Sequence, residues 1–372
     1  MNSTEKINLA LILNNFDVGG LEKVVLDLAN NLNQDIFRIH VICIDGEGKL
    51  FQKLSTKKIR TLVLKKKPGI DISIIRKLMM YFRENRITLI HAHNIAPLVY
   101  GGIAAKLLHP NIPVIYSEHN QVYRLTKWGR AKFKFYLRYS DHIVTVSKRL
   151  REFYRTDLGI SRDINVLYNG INPEIYKFTK SSDLRAQIGV ADDDFVVGTA
   201  VVLSKQKGIP YLLEAAKSLA NEHPDIKIVI AGDGPDHLKL EELCRTSGVS
   251  GTVRFLGYRD DIPKLLSSFD VYILPSLWEG LPLALIESLA VGIPAIATDV
   301  GGNSEIIEHG INGLIVPANS AKALADAITQ MYNQRESLSH FRELNIAKFN
   351  STFSLASMIS SHERFYLGAV GQ

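Results

Sequence analysis

The sequence predicts an α/β protein made of two successive doubly wound domains, and three observations lead there. Short runs rich in Val, Ile and Leu alternate with amphipathic stretches along the whole chain, the pattern of parallel strands buried beneath helices. The alternation stops once, at Asn169-Gly170-Ile171-Asn172-Pro173 and the polar stretch to Asp183, and then restarts; Gly, Asn and Pro clustered in this way mark a connection rather than an element. The 372 residues suit about two domains of roughly 150 residues each. In sheets of this kind ligands bind outside the carboxyl ends of the strands, so two such domains facing each other enclose a central cleft, where the chemistry is expected.

The first domain is expected to cover 1–172. Its strands fall at 7–13, 37–44, 61–64, 89–92, 114–117, 143–146 and 165–168, each an aliphatic run of strand length bounded by polar or turn residues. Helices at 20–32, 73–86, 96–108, 132–138 and 147–156 fill the amphipathic stretches between them. In the second domain, 173–353, strands are expected at 195–203, 227–231, 253–256, 271–274, 295–298 and 313–316, with helices at 211–220, 238–246, 262–267, 283–290 and 321–331. A last helix is expected from Ser354 to Gly368, and no short-period repeat is present.

Composition excludes several classes. Hydrophobic residues make up 46% and charged residues 22%, the balance of a globular protein rather than a disordered or collagenous one. The apolar run at 7–13 contains Asn8 and is far short of the ~18–20 residues that a membrane span requires. No basic segment followed by a long apolar stretch opens the chain, so a cytoplasmic location is expected. Cys43 and Cys244 are the only cysteines, too few for a disulfide framework or a cysteine zinc site.

Charge is divided unevenly. Residues 1–178 hold 28 Lys/Arg against 15 Asp/Glu, and the remainder 16 against 23, so a basic half precedes an acidic one. The densest stretch, 123–139, carries Arg124, Lys127, Arg130, Lys132, Lys134 and Arg138 without an acid, interleaved with Trp128, Phe133, Phe135, Tyr136 and Tyr139. Cations attract anionic headgroups and aromatic rings favour the interface, so the stretch reads as a surface for membrane and acceptor. The competing reading is a solvated helix whose rings face the protein core. Nucleic acid is not expected, since neither zinc-finger spacing nor an RRM signature accompanies it.

Familiar nucleotide motifs are incomplete. Gly232-Asp233-Gly234 has His237 where a dinucleotide fingerprint needs its third glycine. Gly46-Glu47-Gly48-Lys49 is followed by Leu50 rather than Ser or Thr, which excludes a P-loop. His91-x-His93 lacks a suitably spaced third ligand, so strand-end packing is expected there and no metal site. The block Pro275-Ser276-Leu277-Trp278-Glu279-Gly280-Leu281-Pro282 is more telling. It follows a buried strand and opens a helix, with Pro282 suited to the first turn. Free N–H groups and a positive dipole end at Gly280 and Leu281 then make an anion site. Glu279 lies in the turn and Glu287 sits roughly 8–10 Å along the helix at about 1.5 Å per residue. Two carboxylates so spaced suit hydroxyls at the ends of an extended ligand with phosphates between them, such as a sugar nucleotide.

Glu279-x7-Glu287, followed by Ser288-Leu289-Ala290-Val291-Gly292-Ile293-Pro294 and Thr298-Asp299-Val300-Gly301-Gly302, closely resembles glycosyltransferase family 4. Asp17-Val18-Gly19-Gly20-Leu21-Glu22 resembles the family's N-terminal glycine loop, and Tyr116-Ser117-Glu118-His119-Asn120 its cleft histidine strand. Asn169-Gly170-Ile171-Asn172 resembles the domain junction, with Asn172 where Asp is usual; Lys207-Gly208, Gly232-Asp233-Gly234, Phe255-Leu256-Gly257 and Asp270 complete the series. The resemblance implies two Rossmann-like domains in the GT-B architecture, retention of anomeric configuration, and a C-terminal helix (354–372) that crosses back to complete the first domain. It implies that Glu287 holds the ribose hydroxyls, Glu279 the transferred sugar and Lys207 the β-phosphate, while the backbone at Leu256, Gly257 and Tyr258 faces the base. From the first domain, Gly19 and Gly20 would approach the diphosphate and sugar, and His119 the sugar hydroxymethyl region. No cofactor or metal is implied. The family places Arg five residues before the Lys of Lys-Gly, where this chain has Val202. Losing a charged donor at a developing oxyanion costs about 10²–10³ in rate; Lys205 is the nearest substitute, a point charge rather than a fork.

The expected function is therefore a cytoplasmic, metal-independent, retaining glycosyltransferase. It would act peripherally at the inner face of the membrane, moving a sugar from a UDP- or GDP-sugar to a lipid-linked glycan for an envelope polysaccharide. The alternatives are a non-catalytic nucleotide-sugar-binding subunit, which Val202 favours, and another GT-B enzyme such as an epimerase or phosphorylase.

Overall fold

The computed structural model describes residues 5–17, 19–54, 58–119, 126–179 and 182–371. The chain forms two compact units, one of Met1–Asn169 with Leu355–Gln372, the other of Gly170–Ser354. Ile171 donates its N–H to the Phe353 carbonyl at 3.0 Å and bridges Ser354, which ties the residues after Asn169 to the second unit.

In unit 1, β1 (Ile7–Leu13), β2 (Phe37–Cys43), β3 (Ile59–Val63), β4 (Leu89–His93), β5 (Val114–Glu118), β6 (His142–Thr145) and β7 (Ile164–Val166) form one parallel sheet ordered β3-β2-β1-β4-β5-β6-β7. Leu9 lies opposite Ile39 on one side and Leu89 on the other, and all three are fully buried. Helices α1 (Gly20–Asn31), α2 (Ser73–Glu84), α3 (Ile95–Lys106), α4 (Lys127–Tyr136) and α5 (Lys148–Thr156) connect the strands. Helix α4 starts five residues before its expected first residue. The Thr126 hydroxyl accepts the Gly129 N–H at 3.1 Å and caps it, supplying a start that the mixed basic and aromatic sequence conceals.

Unit 2 begins with the short α6 (Ser182–Gln187). A six-stranded parallel sheet follows: β8 (Phe195–Ala200), β9 (Ile226–Ala231), β10 (Val253–Gly257), β11 (Val271–Leu274), β12 (Ala295–Thr298) and β13 (Gly313–Val316), ordered β10-β9-β8-β11-β12-β13. Its connections are α7 (Ile209–Glu222), α8 (His237–Thr246), α9 (Ile262–Leu266), α10 (Leu283–Val291), α11 (Asn303–Ile306) and α12 (Ala321–Asn333). Strand β8 ends at Ala200 instead of 203, because the chain turns there toward Lys205–Lys207. Helix α13 (Leu338–Lys348) and the π-helical turn Phe349–Phe353 are additions to the expected elements. Helix α14 (Leu355–Ala369) belongs to unit 1. Its Tyr366 ring meets Phe37 edge-on at 5.9 Å, and the Glu363 carboxylate accepts the Asn33 N–H at 2.7 Å.

Strand order reverses between β1 and β4 in unit 1 and between β8 and β11 in unit 2. Loops leaving neighbouring strands diverge at such points and leave a crevice at the carboxyl ends.

Candidate active site

In unit 2 the loops after β8 and β11 meet. Leu277 donates its N–H to the Gln206 carbonyl at 2.7 Å, and the Gln206 side-chain amide donates to the Trp278 carbonyl at 2.9 Å. Gly208 makes the approach possible. It has φ +64°, and a Cβ there would stand 2.0 Å from the Pro275 carbonyl oxygen, a backbone clash that no side-chain movement relieves. The pairing brings Lys207 Nζ to 2.5 Å from Glu279 Oε1. Ser276 Oγ donates to the same oxygen at 2.7 Å, and Gln206 Nε2 donates to Oε2 at 3.1 Å. The Glu279 side chain is 5% exposed and that of Lys207 15%. Both carboxylate oxygens are thus bonded, which is what a buried charge requires.

The third wall comes from the loop after β12. Gly301 has φ +51°, and a Cβ there would stand 2.2 Å from the Glu279 carbonyl oxygen; Gly302 donates its N–H to the Gly280 carbonyl at 2.7 Å. Thr298 Oγ1 donates to the Ser276 carbonyl at 2.6 Å, and Asn303 donates to the Thr298 carbonyl at 2.9 Å. The Glu279 turn is therefore fixed by three segments. Glu287 lies on α10, buried, where the Tyr176 hydroxyl donates to its Oε1 at 2.7 Å. Leu256 and Gly257 end β10 at a register shift and Tyr258 follows, 71% exposed. Gly280 and Leu281 are buried in the turn before α10. Lys205 is exposed and so is Val202, at 58%.

In unit 1, Gly19 and Gly20 open α1. Gly48 braces the turn before them: at φ +74°, it lies so close to the Phe16 backbone that a Cβ would stand 2.3 Å from the Phe16 carbonyl carbon. The stretch rejected as a P-loop thus supports the glycine turn. His119 follows β5, and its Nε2 is 3.0 Å from Nδ1 of His93 on β4. His91, two residues earlier, places Nδ1 2.7 Å from the Tyr366 hydroxyl and Nε2 2.6 Å from Ser117 Oγ. The His91 and His93 rings lie 4.1 Å apart, and His362 of α14 stands 6.2 Å from His91. Burial lowers all four imidazoles, His119 to about 3 and His362 to about 4. No cluster of three or more metal-binding side chains occurs among the described residues.

The basic stretch forms α4. Phe133 is buried, edge-on to Tyr116 at 6.3 Å and Tyr154 at 5.5 Å. Trp128 (81% exposed), Lys132 and Phe135 fall at i, i+4 and i+7 on the opposite face, flanked by exposed Lys127, Arg130 and Lys134. One helix thus turns Phe133 to the interior and Trp128 and Phe135 to solvent. Arg124 lies outside the described residues. No helix among those described is long and apolar enough to cross a membrane.

The structure brings Lys207 and Glu279 together, and His119 to His93. Lys205 is exposed. Gln206, Tyr176 and Tyr366 have no place in the sequence reading, which names Ser276 only as part of its block and His93 only as strand-end packing. Gln206 and Ser276 adjoin recognised motifs, whereas Tyr366 is 275 residues from the His91 it touches and carries no local signal.

Residues 18–175 match the family described as Glycosyltransferase Family 4, and residues 180–347 match glycosyl transferases group 1. The chain belongs to glycosyltransferase family 4. Among relatives of this glycosyltransferase is the UDP-Gal:alpha-D-GlcNAc-diphosphoundecaprenol alpha-1,3-galactosyltransferase of Escherichia coli, 27% identical over 337 residues, 86% of either chain. An uncharacterized glycosyltransferase of Methanocaldococcus jannaschii is 37% identical over 193 residues, spanning 50% of this chain and 49% of that one. The structure of Anabaena HepE in complex with UDP and glucose matches with a TM-score of 0.85 at 24% identity, over 97% of this chain and 99% of that one. The two doubly wound sheets are those of the GT-B architecture.

Proposed function

We propose that this glycosyltransferase moves a hexose, with retention of configuration, from a UDP- or GDP-sugar to a lipid-linked glycan in envelope polysaccharide assembly, at the inner face of the cytoplasmic membrane. The observation that carries the proposal is the Lys207–Glu279 pair, held at the strand-order reversal of unit 2 by a fully bonded loop. Such a site offers a cation to a leaving diphosphate and a carboxylate to sugar hydroxyls. The E. coli relative, which takes UDP-Gal and a diphosphoundecaprenol acceptor, supports the choice of donor and acceptor class.

In this reading Lys207 and the N–H groups around Gly280 and Leu281 receive the diphosphate, Glu279 takes the transferred sugar and Glu287 the ribose. Gly257 and its neighbours Leu256 and Tyr258 take the base, while Gly19, Gly20 and His119 are assigned to sugar and diphosphate. The bond from the anomeric carbon to the β-phosphate oxygen breaks, a bond to the acceptor oxygen forms on the same face, and the acceptor proton passes to the departing phosphate. Charge is neutralised by the protein's own groups, so the reaction is proposed to need no metal. Trp128, Phe135 and the cations of α4 rest on anionic headgroups near the acceptor.

Calorimetric titration of UDP and of GDP in EDTA, repeated with Lys207→Ala, tests the reading. Micromolar binding of one nucleotide, lost in the variant, is expected; binding of neither would overturn it. Exposed Val202, standing where a guanidinium would be, favours a second reading, a non-catalytic binding subunit. Turnover by the purified chain alone would exclude that.

A further inference from the structure

The histidine cluster of unit 1 has a proton count that fixes what His119 is able to do. His119 and His93 are both held neutral by burial, so each ring carries one N–H and one bare nitrogen. Their 3.0 Å contact uses one proton and one lone pair. Two arrangements satisfy it. Either His93 donates from Nδ1 and His119 carries its own proton on Nδ1, or His119 donates from Nε2 and His93 carries its proton on Nε2. The two outer nitrogens, His93 Nε2 and His119 Nδ1, are buried and have no partner, so each arrangement leaves one unpaired N–H at one of them.

Their surroundings decide between the two. His93 is 1% exposed at the end of a central strand, and its ring is clamped against His91, itself pinned by Tyr366 and Ser117. An N–H at His93 Nε2 would be stranded in the core, and an unpaired buried donor costs more than an unpaired acceptor. His119 is partly exposed one residue beyond the end of its strand; its Nδ1 is itself covered but lies outside the sheet, where an incoming ligand supplies an acceptor.

We infer that His93 locks His119 as the Nδ1–H tautomer, making His119 a hydrogen-bond donor to a substrate oxygen and not a general base. Its Nε2 lone pair is occupied by the His93 N–H, and its Nδ1 already bears a proton, so neither nitrogen is free to take one from the acceptor hydroxyl. Resting on the proposed sugar transfer, this makes the oxygen a sugar hydroxyl that receives a bond, and His93 a positioning residue.

Nitrogen-15 spectra of the histidine-labelled full chain, without ligand, read the tautomer; His119→Asn assigns the signal. The expected result is a protonated Nδ1 and bare Nε2 at His119. His93→Asn, which keeps an N–H donor near the place of Nδ1, should preserve both the tautomer and turnover. His93→Leu should release the proton to Nε2 and lower kcat about tenfold, the effect of one lost hydrogen bond. A proton on Nε2 in the unaltered chain, or a His93→Leu variant with the tautomer unchanged, would overturn the inference. So would a shifted tautomer with full turnover. The spectra need no substrate, so they decide the tautomer even if UDP- and GDP-sugars are not turned over.

Discussion

Both units carry a polar pair at strand carboxyl ends, at the order reversal in unit 2 and one strand beyond it in unit 1, and run them on opposite electrostatics. In unit 2, Lys207 and Glu279 lie beyond β8 and β11, oppositely charged, with both carboxylate oxygens bonded. In unit 1, His93 ends β4 and His119 follows β5, uncharged, with two ring nitrogens unpaired. A charged pair survives burial only when its hydrogen bonds are filled, so its loops are rigidly bound to one another. Neutral imidazoles bear unpaired nitrogens at a lower cost than a charge would. Under the proposed function, the charged pair is the part offered to a diphosphate and the neutral pair the part offered to hydroxyls.

The strongest way to break this comparison is to remove the cation. Lys207→Ala leaves Glu279 buried without its partner, and kcat should fall about 10²–10³-fold; a steady-state assay showing less than a tenfold loss would make the pair structural only. Next comes Gly208→Ala, which forces a Cβ onto the Pro275 carbonyl at positive φ. It should cost about 1–3 kcal/mol, read by urea denaturation, and should loosen Lys207. Val202→Arg restores a guanidinium at an exposed position and should raise kcat about tenfold, a part of the 10²–10³ that such a donor supplies. An unchanged rate would show that the site has dispensed with it. Tyr176→Phe removes a hydroxyl from the Glu287 carboxylate and should weaken UDP or GDP binding by about 1.5 kcal/mol, measured calorimetrically.

The smallest effect, acidification, separates the units. His119 and His362 take a proton at about 3 and about 4 when folded but near 6.5 when unfolded. Below 6.5 the unfolded chain binds more protons, so unit 1 loses stability as pH falls toward 4. Asp27, pushed up to about 6 by burial, and Glu22, also raised by burial, oppose this in the same unit, against five imidazoles lowered there. In unit 2, His237 is raised by its bond to Asp233, so its contribution is present below 6.5 and lost above. Amide exchange at pH 7 and pH 5 should therefore quicken in β4 and β5 relative to β8 and β11. Equal change in both sheets would contradict the assignment of neutral imidazoles.

Both sheets were legible in the sequence because central parallel strands, buried on both faces, read as uninterrupted aliphatic runs. The Glu279 turn was legible for a related reason: the constraints at Gly208, Gly301 and Gly302 are backbone constraints, written locally as glycine. What escaped was set by long-range packing. The amphipathic signal of α13 is weak because it packs beside α10, with Asn345 buried and bonded to the Ile293 carbonyl and to Asn312. The histidine cluster draws on β4, β5 and α14, and no window of sequence holds two of those elements together with the third.

Helix α14 gives the molecule an order of manufacture. Unit 2 is continuous and complete in sequence by Ser354, whereas unit 1 takes Met358, His362 and Tyr366 from a segment translated after it. An N-terminal domain ordinarily folds first during synthesis, but here its core stays incomplete until the last helix has been made. Until α14 emerges, His91 lacks the Tyr366 hydroxyl and Phe37 the ring that covers it. The first half of the sequence thus depends on its last helix for closure, whereas the second half needs nothing from outside its own span.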